Sequence, residues 1–306
     1  MSLLEIVQKC DSAPYGPLTD YYTFTAHEGT PLGYLTPLVV KELKKETDTV
    51  AVDDEKKTVT ILAQLDTCEK RTEAFVRLGD KWRAAKLFDV LEGWRNEKYA
   101  IYNPTGTVYF LMERAVTALF GVVTYGVHIV GFVPGKTAKD ARIWVPRRAL
   151  NKPTWPGYLD NTVAGGVGYP ASLWETAVKE CGEEAGLEPS YVEPRLTSTG
   201  VVSYLYRATD DLSDELSVIQ PEVEYVMDLE MDEATIPAPA DGEVESFELH
   251  TVDRVLELIK EGKFKPNTAL ITIDFLIRRG VIGVEQPGYV DILCHSHRKL
   301  PFPLLK

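Results

Sequence analysis

Residues 165–187 read GGVGYPASLWETAVKECGEEAGL, and this stretch decides how the second half of the chain folds. Gly165, Gly166 and Gly168 supply a turn. Ser172 with Glu175 three residues on makes a capping box for a helix that Gly186 is placed to end in a left-handed turn. On that helix Trp174, Ala177, Val178, Cys181 and Ala185 share one stripe, while Glu180, Glu183 and Glu184 share another. Like charges at i, i+3 and i+4 cost a helix roughly 0.2–0.5 kcal/mol per pair, so something should offset them. A hard divalent cation does so, because Mg²⁺ prefers oxygen ligands and keeps several waters. Taken alone, the helix suits a solvated glutamate face better than a metal site. The glycines alone suit a plain turn, since the loop lacks the Lys-Ser/Thr ending of a phosphate loop.

Outward from this helix the pattern alternates between two periods. Val122 to Val133, Arg142 to Pro146, Asn161 to Val163, Leu196 to Arg207 and Glu222 to Leu229 read as strands. Ser172 to Ala185, Val252 to Glu261 and Thr268 to Arg279 read as helices, and the acidic, proline-containing stretch Asp232 to Gly242 as a loop. Strands and helices in this order predict an α/β or α+β layered domain with a mixed sheet. Towards the N-terminus, Leu3 to Cys10 and Pro37 to Lys45 read as short helices, and Thr58 to Ala63 and Val76 to Leu78 as strands. Val108 to Phe120 is apolar at helical spacing and ends at Gly121. A boundary near residue 120 separates a smaller mixed α+β domain, 1–120, from a second domain, 121–306.

With 33 Lys+Arg against 46 Asp+Glu, the 306-residue chain carries a formal net charge of −13. That balance argues against a protein that neutralises many nucleic-acid phosphates. Acidic runs such as Asp210 to Glu215 and Asp228 to Glu233 read as solvated surface. Cys10, Cys68, Cys181 and Cys294 are widely spaced, which indicates neither a zinc ribbon nor a disulfide framework. Glu5, Lys9 and Asp11 interrupt the first residues, and no stretch has the ~18 apolar residues a membrane span requires. The expectation is a cytoplasmic protein without nucleic-acid or membrane partners, either monomer or homodimer.

Gly165, Glu180, Glu183, Glu184, Gly186 and Leu187 match the Nudix box, G-x5-E-x7-R-E-U-x-E-E-x-G-U with U aliphatic, and Cys181 takes the first U position. Two positions depart from it: Ala171 stands at the box glutamate and Lys179 at the box arginine. The two departures are coupled, because those side chains pair in the family. Glu175, four residues before Lys179, is placed to hold it instead. Trp82-Arg83, Phe88 to Tyr102, Ile143 to Arg148, Trp155 to Gly166 and Phe275 to Arg278 resemble the fungal and plant Nudix group once labelled thiamine pyrophosphokinase-related. That group carries its own N-terminal domain.

The resemblance implies a Nudix α/β/α sandwich that hydrolyses the diphosphate of thiamine diphosphate or its oxidised forms to the monophosphate and phosphate. It implies Mg²⁺ or Mn²⁺ held by Glu180, Glu183 and Glu184, with Glu183 or Glu184 able to deprotonate water. A further acid often comes from a later loop, where Glu243 is preferred over Glu245. Gly165 and Gly166 would let the backbone approach phosphate closely. Arg142, Arg147 and Arg148 are candidates for phosphate contact, with only one of the last two facing the site because strand residues alternate. Trp155 or Tyr169 could stack on a flat cationic ring. His128 reads as a core histidine, His295 and His297 as surface residues, and Cys181 and Cys294 as packed thiols. Two other functions stay open: a pyrophosphatase for nucleotide conjugates such as a dinucleotide or coenzyme A, and a non-catalytic diphosphate-binding module.

Overall fold

Along Thr124–Val133 every residue after the first is buried, which is the pattern of a strand covered on both faces, and this strand forms the middle of the larger sheet. The computed structural model describes residues 1–208 and 217–306. The acidic run Asp210 to Glu215 therefore lies outside the described residues.

In chain order the first part contains α1 (Leu3–Cys10), β1 (Tyr22–Thr25), β2 (Pro31–Leu35), α2 (Pro37–Leu43), β3 (Val50–Asp53) and β4 (Thr58–Ile61). It continues with α3 (Cys68–Ala84), β5 (Lys98–Tyr102), β6 (Val108–Glu113) and α4 (Arg114–Phe120). The second part contains β7 (Thr124–Val133), β8 (Arg142–Arg148), β9 (Val163–Gly166), α5 (Leu173–Ala185), α6 (Pro189–Val192) and β10 (Leu196–Arg207). After these come β11 (Ile219–Glu230), β12 (Val244–Thr251), α7 (Val252–Lys260), α8 (Pro266–Arg278) and α9 (Tyr289–Ser296).

The larger sheet has the order β10-β11-β7-β8-β12, with β9 also on β7. It is mixed: β11 runs parallel to β7, and the other pairs are antiparallel. Val127, Ile129 and Val133 pack against Ala177, Cys181 and Ala185 of α5 on one face. Val130 and Phe132 pack against α1, α7 and α8 on the other. The result is the expected three-layered α/β/α arrangement. Because β8 pairs only with the end of β7, at Phe132 and Val133, and β9 takes Gly126 to Ile129, the edge of β7 splits there. A cavity opens beside that split.

The smaller sheet, β2-β1-β4-β3, and the β5-β6 hairpin surround a core of Phe24, Phe75, Trp82, Phe110 and Phe120. Two sequence expectations change here. Val76 to Leu78 is not a strand but lies inside α3, where Ala74, Phe75, Leu78 and Trp82 bury one helical face. Val108 to Glu113 is strand β6 rather than helix, because its pairing with β5 uses the two-residue period that so apolar a run also satisfies. The helix begins only at Arg114, and Gly121 ends it at φ +55° as expected. Leu3, Ile6, Val7 and Cys10 of α1 join the core of the second part.

Two further expectations of a solvated surface are overturned. Asp228 is buried and accepts from Arg278 at 3.0 and 3.1 Å and from Arg279 at 3.2 Å, because a carboxylate inside the fold requires paired donors. His295 is bound to the buried Asp11 at 2.8 Å, tying α9 to α1. Cys294, conversely, is exposed rather than packed. No helix among the described residues is long and apolar enough to cross a membrane.

Candidate active site

Helix α5 is fixed at both ends. Glu175 N donates to Ser172 Oγ at 3.2 Å and Ser172 N to Glu175 Oε2 at 2.9 Å, while Gly186 at φ +63° closes the C-terminus. Thr176, Ala177, Cys181 and Ala185 are buried, which directs Glu180, Glu183 and Glu184 into a cavity of about 550 Å³. Trp174 does not belong to the packed stripe: it is 40% exposed at the first turn.

The glutamates differ in surroundings. Glu184 is half-buried and accepts Ala164 N–H at 3.0 Å, and the desolvation of its carboxylate pushes its pKa up to about 8. Burial also raises Glu180, against the opposing pull of Lys179. Lys179 Nζ reaches Glu183 Oε2 at 2.5 Å and Glu180 Oε1 at 3.4 Å. The expected pairing of Lys179 with Glu175 is therefore not formed. Glu175 is engaged in the cap, and the clustered carboxylates draw the ammonium towards themselves, raising its pKa through the Glu183 hydrogen bond. A side chain on Gly165 would collide with Glu180, so this glycine admits a glutamate rather than a phosphate. On Gly166 it would strike Tyr99 Oη, and on Gly168 it would lie 2.6 Å from Glu97 Oε1. These glycines seat the first part of the chain against the loop.

Of the three candidate arginines the structure brings only Arg148 to the cavity. It donates to Asp160 Oδ2 at 2.7 Å and to the carbonyls of Trp155 and Thr154 at 3.2 and 3.0 Å. Arg147 turns to the Gly157 carbonyl at 2.9 Å, as strand alternation requires. Arg142 lies at the other end of β8, paired with Glu233. Neither of these two lines the cavity, and the expectation that they contact phosphate is withdrawn. Glu243 does line it and is paired with Lys152; Glu245 is exposed. Burial works to raise the Glu243 pKa, but Lys152, then Arg95 and Arg148, hold it below the ordinary value.

Several lining residues escaped sequence reasoning. Arg95, Glu97, Tyr99 and Arg114 come from the first part, and Glu222 and Glu224 from β11. The signal for the last two was present: Gln220, Glu222 and Glu224 alternate with buried Pro221 and Val223. His128 is buried, as expected of a core residue, yet it also lines the cavity. Asn161 Nδ2 donates to Thr268 O and Thr272 Oγ1, so its Oδ1 accepts from His128 Nδ1 at 2.8 Å. His128 Nε2 then faces Glu224 at 3.5 Å. Burial disfavours the imidazolium, but Glu224 outweighs it and the His128 pKa rises. Tyr204 Oη joins Glu224 to Glu222. Through Glu222, Thr154, Lys265 and Asn267 the cavity continues into a second lobe of about 850 Å³, walled by Val90, Trp155, Tyr204 and Tyr206. Tyr169, half exposed, lines neither lobe.

Residues 126–270 match the NUDIX domain model, and residues 2–124 match a domain of unknown function, DUF4743. Nudix hydrolase 24, chloroplastic, of Arabidopsis thaliana is 34% identical over 94% of this chain and 76% of that one. The chain belongs to the Nudix hydrolase family. An uncharacterized protein of Saccharomyces cerevisiae is 39% identical over 99% of this chain and 93% of that one. Among solved structures, the MutT protein of Methanosarcina mazei Go1 is 15% identical over 52% of this chain and 94% of that one, with a TM-score of 0.37.

The protein is thus a pyrophosphohydrolase with a Nudix fold behind an N-terminal DUF4743 domain. Nudix hydrolases use divalent cations such as Mg²⁺ or Mn²⁺. The donor set fits one: three oxygen-donor side chains on one helical face, two with proton affinities raised by burial, already attracting the Lys179 ammonium. Among the described residues no three His, Cys, Asp or Glu side chains are yet gathered closely enough to enclose an ion. Lys179 engages two of the glutamates, and Ala164 N–H the third.

Proposed function

We propose that this Nudix enzyme hydrolyses the diphosphate of thiamine diphosphate derivatives, oxidised forms included, to the monophosphate and inorganic phosphate. The observation that carries this reading is the two-lobed cavity. The lobe beside α5 offers carboxylates for a cation, and a cation held there suits a diphosphate. The adjoining lobe offers Trp155, Tyr204 and Tyr206 with Glu222, Asp89 and Glu92 among them, which suits a flat, cationic heteroaromatic group. Trp155 is held at φ +52°, a conformation costly for a bulky residue, by the bond from Arg148 to its carbonyl. That strained placement turns an aromatic wall towards the lobe.

Glu180, Glu183 and Glu184 would hold Mg²⁺ or Mn²⁺, which when bound supplies positive charge for the pyrophosphate oxygens and acidifies water. Water oxygen bonds to one phosphorus, the bridging P–O bond breaks, and the water proton passes to a carboxylate. Glu183 or Glu184 would take that role by position, since both line the cavity, and Glu184 is fixed there by the Ala164 N–H. Glu243, kept ionised by its cationic neighbours, orients the water or the cation. The four unpaired cysteines suit a reducing compartment, and a cytoplasmic location is part of this proposal.

Incubating the protein and Mg²⁺ with a panel of diphosphates tests the reading. Oxidised thiamine diphosphates should give monophosphate and phosphate with the highest kcat/KM. Turnover of dinucleotides or coenzyme A, with none of thiamine derivatives, would overturn it.

A further inference from the structure

The N-terminal DUF4743 domain does not stand beside the active site but forms part of it. Its contact with the glycine loop is close and specific. Tyr169 N donates to Lys98 O at 2.8 Å, and Gly166 and Gly168 leave room for Tyr99 and Glu97. Arg114 N in turn donates to Glu97 O at 2.8 Å, and its Nη1 to Glu97 Oε2 at 2.9 Å. The guanidinium lies 5.6 Å from the centre of the Tyr99 ring. Residues Arg95 to Arg114 are thereby fixed to the loop that leads into the glutamate helix.

We propose that this domain supplies the phosphate-binding wall of the active site, with Arg95 and Arg114 gripping the diphosphate of the substrate. The proposal rests on the reading of the cavity as a diphosphate-cleaving site, and not on the identity of the organic group.

The charges around the cavity support it. Arg148 is committed to Asp160, Lys152 to Glu243 and Lys179 to Glu183 and Glu180. Among the described residues the Arg95 guanidinium makes no ion pair and no side-chain hydrogen bond, although it lines this acidic lobe. Arg114 uses a single nitrogen on Glu97, which leaves donors of its fork for an anion. Glu243 connects the two sides: it feels the positive charge of Arg95 and Arg114 and the negative charge of Glu180 and Glu184. All of these groups line one cavity, so a diphosphate held there by a cation on the glutamates meets the arginines of the first part of the chain. Planar guanidinium groups bind phosphate oxygens in pairs, which orients as well as attracts.

The test uses the full chain and any diphosphate that the wild type hydrolyses, with inorganic pyrophosphate as a competing ligand. Arg95→Ala should lower kcat/KM by about 10- to 100-fold, mainly through KM, as expected for a lost hydrogen bond to a charged group. Pyrophosphate inhibition should weaken by a similar factor, and the melting temperature should not change because the side chain is exposed. Arg95→Lys should recover part of the loss. Arg114→Lys, which keeps the charge and the Glu97 pair but not the fork, should show the same KM effect. Wild-type kcat/KM and pyrophosphate inhibition, within twofold, in both Arg95→Ala and Arg114→Lys would overturn the proposal. Failure of the thiamine reading looks different: the wild type turns over only other diphosphates, and the arginine effect persists on those.

Discussion

Two walls of the catalytic lobe reach similar positions by different routes. The α5 wall takes Glu180, Glu183 and Glu184 from little more than one helical turn, capped by Ser172 and closed by Gly186. The facing group takes Arg95 from a loop, Tyr99 from β5 and Arg114 from the start of α4, and meets the glycine loop before α5 at Gly166, Gly168 and Tyr169. One wall is a local property of the chain, its three acids set by the spacing of a single helix. The other exists only once two domains have packed, and its cations belong to residues with no local reason to converge. On the proposed reading chemistry and selectivity separate: the helix would carry the metal-binding acids, and the assembled wall would set what those acids act upon.

The largest effect should come from the local wall. Glu184→Gln keeps the shape and the acceptor for Ala164 N–H but removes the proton acceptor, so phosphate release in a stopped assay should fall about 10²- to 10⁴-fold. Activity equal to wild type would remove this residue from the chemistry. The floor between the walls offers a second test. His128 is raised and Glu224 lowered because each stabilises the other's charge, although burial opposes both. The imidazolium contribution is complete below the unfolded histidine value near 6.5 and fades as pH rises through the raised folded value. The carboxylate contribution is present above the unfolded glutamate value and is lost as pH falls through the lowered one. His128→Gln should therefore destabilise most at pH about 5–6, by roughly 3 kcal/mol, and less at pH 9, as read from urea titrations. A pH-independent difference would mean that the pair is not charged.

The assembled wall should be the more sensitive to a single methyl group. Gly166→Ala should cost about 1–3 kcal/mol in thermal or urea unfolding, because the new Cβ meets Tyr99 Oη. Adding Tyr99→Phe should recover most of that loss and of the accompanying loss of activity. No recovery would place the strain elsewhere.

The same contrast explains which features could be read from sequence. Helix α5, its caps and its glutamates follow from spacing alone, and the strands β7, β10 and β11 from long apolar runs. Arg114 fell inside the run Val108 to Phe120 read as one helix, and Arg95 inside the segment Phe88 to Tyr102, with nothing local to mark either, since their common target is defined only by the packed fold. Arg147 and Arg148 were equivalent in sequence until the phase of β8 distinguished them. Lys179 was misassigned because helical spacing offers partners on both sides, Glu175 and Glu183, and only the cap at Ser172 removes the first. Strand β12, with Glu245, Glu248 and His250, lacked an apolar pattern because it lies at the sheet edge beside β8.

The most direct test of the two-walled site is a crystal structure of the full chain with Mn²⁺ and inorganic pyrophosphate, with the metal located by its anomalous scattering. The account predicts Mn²⁺ on Glu180, Glu183 and Glu184, and a pyrophosphate that touches both the metal and the guanidinium groups of Arg95 and Arg114. Mn²⁺ bound away from these glutamates, or a pyrophosphate seated there with both arginines turned from it, would contradict the account.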